Sequence, residues 1–228
     1  MTGFLVYIEL LLLLIGGYYL FVKFKIIPLP ALNFFKLLYV LTFFTEITGK
    51  ITAHFGIHNI LLYNVFIPVE FFLLVKIMKK NIPAYLQWQM LPNTSLFIFF
   101  IIYIAEIIFN RGFNNSFVFF SHTFTSFYFM VVGFVYYYQL MQLEIAVHPK
   151  SDFVFWLVTG LFLYQFASFF INLFFSYIVE LYLSGGMNWG ISIITILRVI
   201  FNVFFYGAWV YAFICKYREI ISSSSSYA

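Results

Sequence analysis

The chain has 228 residues, of which 64% are hydrophobic and only 9% charged, with a mean hydropathy of +1.00 and a formal net charge of +4. A soluble domain carries about 25% charged residues, so this composition cannot cover a water-soluble fold and puts the chain in a lipid bilayer. The single cysteine, Cys215, excludes an intramolecular disulfide framework and any multi-cysteine metal site, and no stretch between the apolar runs is long enough to bury a soluble core.

A hydrocarbon core of about 30 Å takes about 20 residues of helix, and seven runs meet that need. The first, 4–22, has no basic segment before it and no small-residue cleavage site after it; Lys23 and Lys25 follow instead, so it reads as a retained helix and not a secretory signal. Its one acid, Glu9, is expected to be wetted near the outer end. Pro28 and Pro30 lead to the second run, 32–49, which ends in Thr45, Glu46 and Thr48. The third, 60–77, carries Asn64, Pro68 and Glu70; Pro68 has no N–H for the carbonyl four residues back and so frees that of Asn64. Lys79, Lys80, Asn81 and Pro83 close it.

The fourth run, 95–109, is short and lengthens if Pro92 takes the first helical turn, which suits proline. It ends at Glu106 and the breakers Arg111, Gly112, Asn114 and Asn115. The fifth, 117–141, carries Ser121, His122, Thr125 and Ser126 within SHTFTS, and is followed by His148, Pro149 and Lys150. The sixth, 153–178, places Gln165, Ser168 and Asn172 at spacings of three and four, which makes one helical stripe. After Gly185, Gly186 and Asn188 the seventh, 190–215, carries Arg198, Asn202 and Tyr206. Residues 1–221 thus read as one all-α seven-helix membrane bundle, and 222–228 as a disordered serine-rich tail.

Basic residues orient the bundle. One side holds nine of the twelve (Lys23, Lys25, Lys36, Lys76, Lys79, Lys80, Lys150, Lys216 and Arg218), the other only Lys50 and Arg111, and Arg198 lies within a helix. The positive-inside rule puts the N-terminus outside and the C-terminus in the cytoplasm. The expected setting is a cell membrane of the bacterial cytoplasmic type, crossed several times. Basic inner loops are available to a cytoplasmic or membrane protein partner, and nothing addresses nucleic acid.

An ionisable group near the bilayer centre costs about 3 kcal/mol or more on insertion scales. Arg198 cannot shed its proton, so it is expected to be buried and paired, with Glu70 as first partner and Glu106 as second. Glu46, Asn64, Glu106, His122, Gln165 and Asn172 fall in the expected outer half, and Asn202 lies four residues below Arg198 on the same face. Their convergence implies a polar cavity open to the outside with Arg198 near its floor; a hydrogen-bond network that only holds the helices together is the alternative. Glu46 in TEITGK and Glu106 in AEIIFN, each before a short outer loop, suggest a repeated hairpin.

His54 and His58 in HFGIH have the i, i+4 spacing of a metal-binding face, with Gly56 between them and no third histidine nearby in sequence. The seventh run has Arg198 and no lysine before Lys216, which argues against a retinal Schiff base. No phosphate-binding glycine loop, nucleophile elbow or metalloprotease motif is present, which leaves any cofactor unknown. Three functions fit: a membrane sensor or signalling accessory that takes a small ligand, lipid or ion; a transporter or channel for a small anion or protons; and an intramembrane hydrolase, possibly metal-dependent, using Glu106, His122 or the histidine pair.

Overall fold

The computed structural model describes residues 2–24, 30–82, 91–114, 116–142, 151–183 and 190–225. These residues form seven helices, with no strand among them: α1 (Thr2–Tyr18, continued by a π-helical turn, Tyr19–Lys23), α2 (Pro30–His54), α3 (Ile60–Asn81), α4 (Pro92–Phe109), α5 (Phe119–Gln142), α6 (Phe153–Leu183) and α7 (Gly190–Ser225). Five of them, α3 to α7, are long and apolar enough to cross a membrane. The expected breakers Pro28, Pro83, Asn115, His148, Pro149, Lys150, Gly185, Gly186 and Asn188 lie outside the described residues, as does Lys25.

Helix ends follow from local chemistry. Pro92 does begin α4, where its missing N–H costs nothing. Asp152 caps α6, its Oδ1 accepting from the N–H groups of Val154 (2.7 Å) and Phe155 (3.2 Å). At the end of α2, Gly56 N–H bonds Ala53 O and Ile57 N–H bonds Thr52 O, with Gly56 at φ +67°. That pattern is a Schellman stop, and it requires a residue that tolerates the left-handed region. At the other extreme, α7 continues into the serine run expected to be a disordered tail, and the Ser222 hydroxyl donates to the Glu219 carbonyl.

The chain divides into two compact units. A central unit comprises Pro28–Tyr128, and a terminal unit joins Met1–Ile27 to Phe129–Ala228, so that the boundary falls within α5.

The central unit is held by an aromatic column from α3, α4 and α5. Phe71 stacks on Phe99 at 4.4 Å, Phe99 on Tyr103 at 5.9 Å, and Phe124 and Tyr128 meet Phe71 edge-on. Such pairs contribute about 0.5–1.5 kcal/mol each beyond their buried area.

In the terminal unit, small residues let helices approach closely. A Cβ placed on Gly160 of α6 would lie 2.7 Å from Ala208 Cβ of α7, and one on Gly133 of α5 would clash with the Phe162 side chain. Antiparallel α6 and α7 then interlock, with Tyr164 stacked on Phe205 and Trp156 edge-on to Tyr211. The π turn of α1 leans on α7 through Tyr19 and Phe24 against Tyr217. There the Lys23 ammonium lies 5.7 and 5.5 Å from the Tyr18 and Tyr217 ring centres.

Candidate functional site

The polar residues of the central unit are mostly committed to its own backbone. Asn64, fully buried on α3, donates through Nδ2 to the carbonyls of Phe113 and Ser116, both at 2.8 Å, and accepts through Oδ1 from Val118 N–H at 3.0 Å. One side chain thereby fixes both ends of the connection between α4 and α5. The Asn64 carbonyl, which Pro68 leaves without its helical donor, accepts from the Tyr103 hydroxyl of α4 at 2.8 Å. Tyr103→Phe strands that carbonyl and is expected to cost about 1–2 kcal/mol. Denaturant titration in detergent reads the effect, and a change below about 0.3 kcal/mol would mean that the carbonyl finds another donor.

Glu106 has the same kind of role. Its Oε1 accepts from Phe120 N–H (2.8 Å), and its Oε2 from Ser121 N–H (2.9 Å) and the Ser121 hydroxyl (2.7 Å). Phe120 and Ser121 are the second and third residues of α5, so a carboxylate from α4 caps a neighbouring helix and faces the positive end of its dipole. Both oxygens of the Glu106 carboxylate are thus engaged by three donors of α5. Glu46, its counterpart in the suggested repeat, does something different and pairs with Lys50 at 3.6 Å. Glu70 is half-buried, and the charge that bears on it within its unit is the Glu46 carboxylate.

His122 is half-buried, its ring edge against Phe117. His54 and His58 are both exposed. They do not share a helical face, because α2 ends at His54 and the chain turns at Gly56. The i, i+4 metal reading thus fails on a signal already present in the sequence, a glycine placed where a helix stops.

In the terminal unit two expectations are corrected, and both corrections concern one site. Glu9 is not wetted. It is 2% exposed and accepts a hydrogen bond from Asn202 Nδ2 at 2.9 Å. The reason is the face it occupies: Glu9 shares the buried side of α1 with Leu13 and Leu20, while Tyr7, Leu11 and Leu14 carry the exposed apolar side. Arg198, expected to be buried, is exposed. Its direction explains how. At 100° per residue it lies about 100–140° away from Ile193, Leu197 and Phe204, the exposed apolar face of α7. It lies within about 40° of Asn202, Phe205 and Trp209, the face turned toward α1 and α6.

Exposure falls along that stripe. Arg198 is exposed and Asn202 half-buried, while Phe205, Tyr206 and Trp209 are 5%, 4% and 3% exposed. The stripe is exposed at Arg198, bounded one turn above by the buried Ile194 (6% exposed) and sealed below by Tyr164 and Gly160 of α6 packing on Phe205 and Trp209. Continuing the α6–α7 register toward the N-terminal end of α7 puts Ser168 and Asn172 at about the heights of Asn202 and Arg198. Ser168 is 8% exposed and Asn172 1%. Gln165, at 2%, has its Oε1 buried without a hydrogen-bond partner, a costly arrangement for an acceptor removed from water.

The arrangement gathers, within one unit, an exposed guanidinium, an amide bonded to a buried carboxylate one turn deeper, and a buried acceptor without a hydrogen-bond partner on α6. Sequence reasoning missed Glu9 as a member, although its spacing of four and eleven from Leu13 and Leu20 is the signal that assigns it to a buried face. The chain matches no family model, no curated protein and no solved structure.

Proposed function

We propose that this membrane-embedded chain is a sensor or signalling accessory that binds a small polar ligand in an outward-facing pocket of its terminal unit. The pocket comprises Arg198 and Asn202 of α7, Glu9 of α1, and Gln165, Ser168 and Asn172 of α6. In this reading seven helices span the bilayer with the N-terminus outside, and the lysine-rich inner connections meet a partner that carries the output. The observation that carries it is the fall in exposure from Arg198 through Asn202 to Trp209, beside the buried Glu9, Gln165 and Asn172. An interhelical bond made only as glue has no need of the buried Glu9 carboxylate, because an amide would hold Asn202 at lower desolvation cost.

Single-cysteine labelling tests it, since the one native thiol, Cys215, is buried and can be replaced by serine. In that background Arg198→Cys is expected to react with a charged, membrane-impermeant thiosulfonate added outside intact cells. Asn202→Cys should react more slowly, and Tyr206→Cys and Trp209→Cys not at all. An Arg198→Cys variant as inert as Trp209→Cys would end the proposal, and labelling only from the inner face would reverse the orientation.

Transport of a small anion or protons is the second reading. It is favoured by Glu9, a buried ionisable group within a helix of a membrane bundle, and flux into proteoliposomes containing the chain alone would establish it. The hydrolase reading has less support, because Glu106 is held by three donors and the histidine pair is split by a helix end.

A further inference from the structure

The central unit carries a second feature that owes nothing to the terminal pocket. The sequence has no Asp or Glu between Glu9 and Glu46, and none between Glu70 and Glu106. The end of the hairpin where α2 begins and α3 finishes therefore carries Lys36, Lys76, Lys79 and Lys80 and no acid. Among the described residues no carboxylate pairs with Lys76 or Lys80.

Lys76 and Lys80 stand one turn apart on one face of α3, where like charges oppose each other. Attraction to the carbonyl end of the helix accounts for Lys79 and Lys80, which lie in its last turn. It does not account for Lys76, which is half-buried and more than a turn from Asn81. Aromatic rings hold both ammonium groups in place. Lys76 Nζ lies 5.2 Å from the centre of the Phe72 ring, and Lys80 Nζ 4.4 Å from that of Phe34 on α2. A ring face attracts a cation but carries no net charge, so two fixed positive charges are left without a counter-ion.

The face they stand on says where the anion comes from. Val65, Val69 and Phe72 are exposed, and at 100° per residue they share an arc of about 80° with Lys76 and Lys80. Since α3 is one of the helices fit to cross a membrane, this apolar stripe lies against acyl chains and the two lysines close it. From Val65 to Lys76 the rise is about 16 Å, close to the depth of one leaflet's hydrocarbon, about 15 Å. The ammonium groups therefore lie at the level of lipid phosphates. A soluble anion would meet the exposed Lys79 and Lys80 from water, but not the half-buried Lys76 at the hydrocarbon edge. We propose that Lys76 and Lys80 bind the headgroup of an anionic phospholipid in the leaflet at the C-terminal end of α3.

The test uses the full chain in mild detergent, titrated with phosphatidylglycerol or with phosphatidylcholine of the same acyl chains, and native mass spectrometry counts the lipid retained. Phosphatidylglycerol should bind about ten-fold more tightly or better, since each lysine near an anionic lipid contributes about five-fold. Lys76→Gln combined with Lys80→Gln should abolish the preference, and Lys76→Arg combined with Lys80→Arg should keep it. If the double glutamine variant does not fold, either single change should lower the preference about five-fold. Lys36→Gln is the control for charge alone. The contacts of Gly49 with Tyr63 and of Phe34 with Lys80 set Lys36 level with Lys76, but on the opposite side of α2 from Phe34, so this change should leave the preference as it was. Equal binding of the two lipids would overturn the proposal, as would a preference that survives the double glutamine variant or falls as far in Lys36→Gln. Displacement of bound phosphatidylglycerol by inorganic phosphate would assign the lysines to a free anion. Displacement by a polyglutamate peptide would assign them to an acidic protein segment. Either displacement would overturn the proposal too.

Discussion

Glu106→Ala is expected to lower stability by about 3–5 kcal/mol, because each buried donor left without an acceptor costs about 1–3 kcal/mol and two buried donors are stranded at once, with a third part-buried. The donors are Phe120 N–H, Ser121 N–H and the Ser121 hydroxyl. Ser121 is fully buried, so water has poor access to replace the carboxylate. The loss also removes a negative charge from the positive end of α5, a helix-dipole contribution of up to about 2 kcal/mol in buried geometry. Glu106→Gln keeps one acceptor oxygen but turns an amide N–H toward the remaining donors, so it should recover only part of the loss. Asn64 acts on the same segment through Val118, Phe113 and Ser116. Combining Asn64→Ala with Glu106→Ala should therefore cost less than the sum of the two, since a connection already freed at one end has less to lose. Denaturant midpoints of the four proteins in mild detergent give the answer. A loss under about 1 kcal/mol for Glu106→Ala would mean that the cap does not hold α5 in place.

The contrast between Glu106 and Glu9 shows how far the sequence carries and where it stops. Both are acids in apolar runs, and the cost of burying a charge marks each as needing a partner. The partner itself is a matter of tertiary geometry. Glu106 finds donors 14 and 15 residues ahead, across a connection whose path is set by Asn64, while Glu9 finds Asn202 at a separation of 193 residues. No local periodicity encodes such pairs. Local rules did reach other features. The helical runs, the start of α4 at Pro92 and the open carbonyl of Asn64 above Pro68 all depend on residues within a turn of one another. That Tyr103 supplies the missing hydrogen bond does not. The π-helical turn at Tyr19–Lys23 left no sequence signal, since the aromatic packing of Tyr19 and Phe24 on Tyr217 belongs to the folded unit. Arg198 misled in an instructive way. Distance along a helix gives depth, but exposure depends on which neighbours close over a face, and Arg198 is exposed between the buried Ile194 and the half-buried Asn202.

Closure at that level depends on one glycine, and Gly160→Ala is expected to cost about 1–3 kcal/mol, the usual range for overpacking a tight contact. The added Cβ would lie 2.7 Å from Ala208 Cβ and 3.3 Å from the Phe205 carbonyl oxygen. Neither atom is the end of a flexible side chain, so relief requires the two helices to move apart. Separation would loosen the stacking of Tyr164 on Phe205 and the tilted contact of Phe205 with Trp209, which seal the polar stripe from below. Ala208→Gly in the same chain removes the nearer clash but not the carbonyl contact, so the double variant should regain most, not all, of the lost stability. That non-additivity separates a steric wedge from a general loss of helix flexibility, which Ala208→Gly would worsen. In the cysteine experiment, Gly160→Ala should make Tyr206→Cys or Trp209→Cys newly reactive toward the impermeant reagent. If stability falls while both remain inert, the seal lies elsewhere than at the α6–α7 contact.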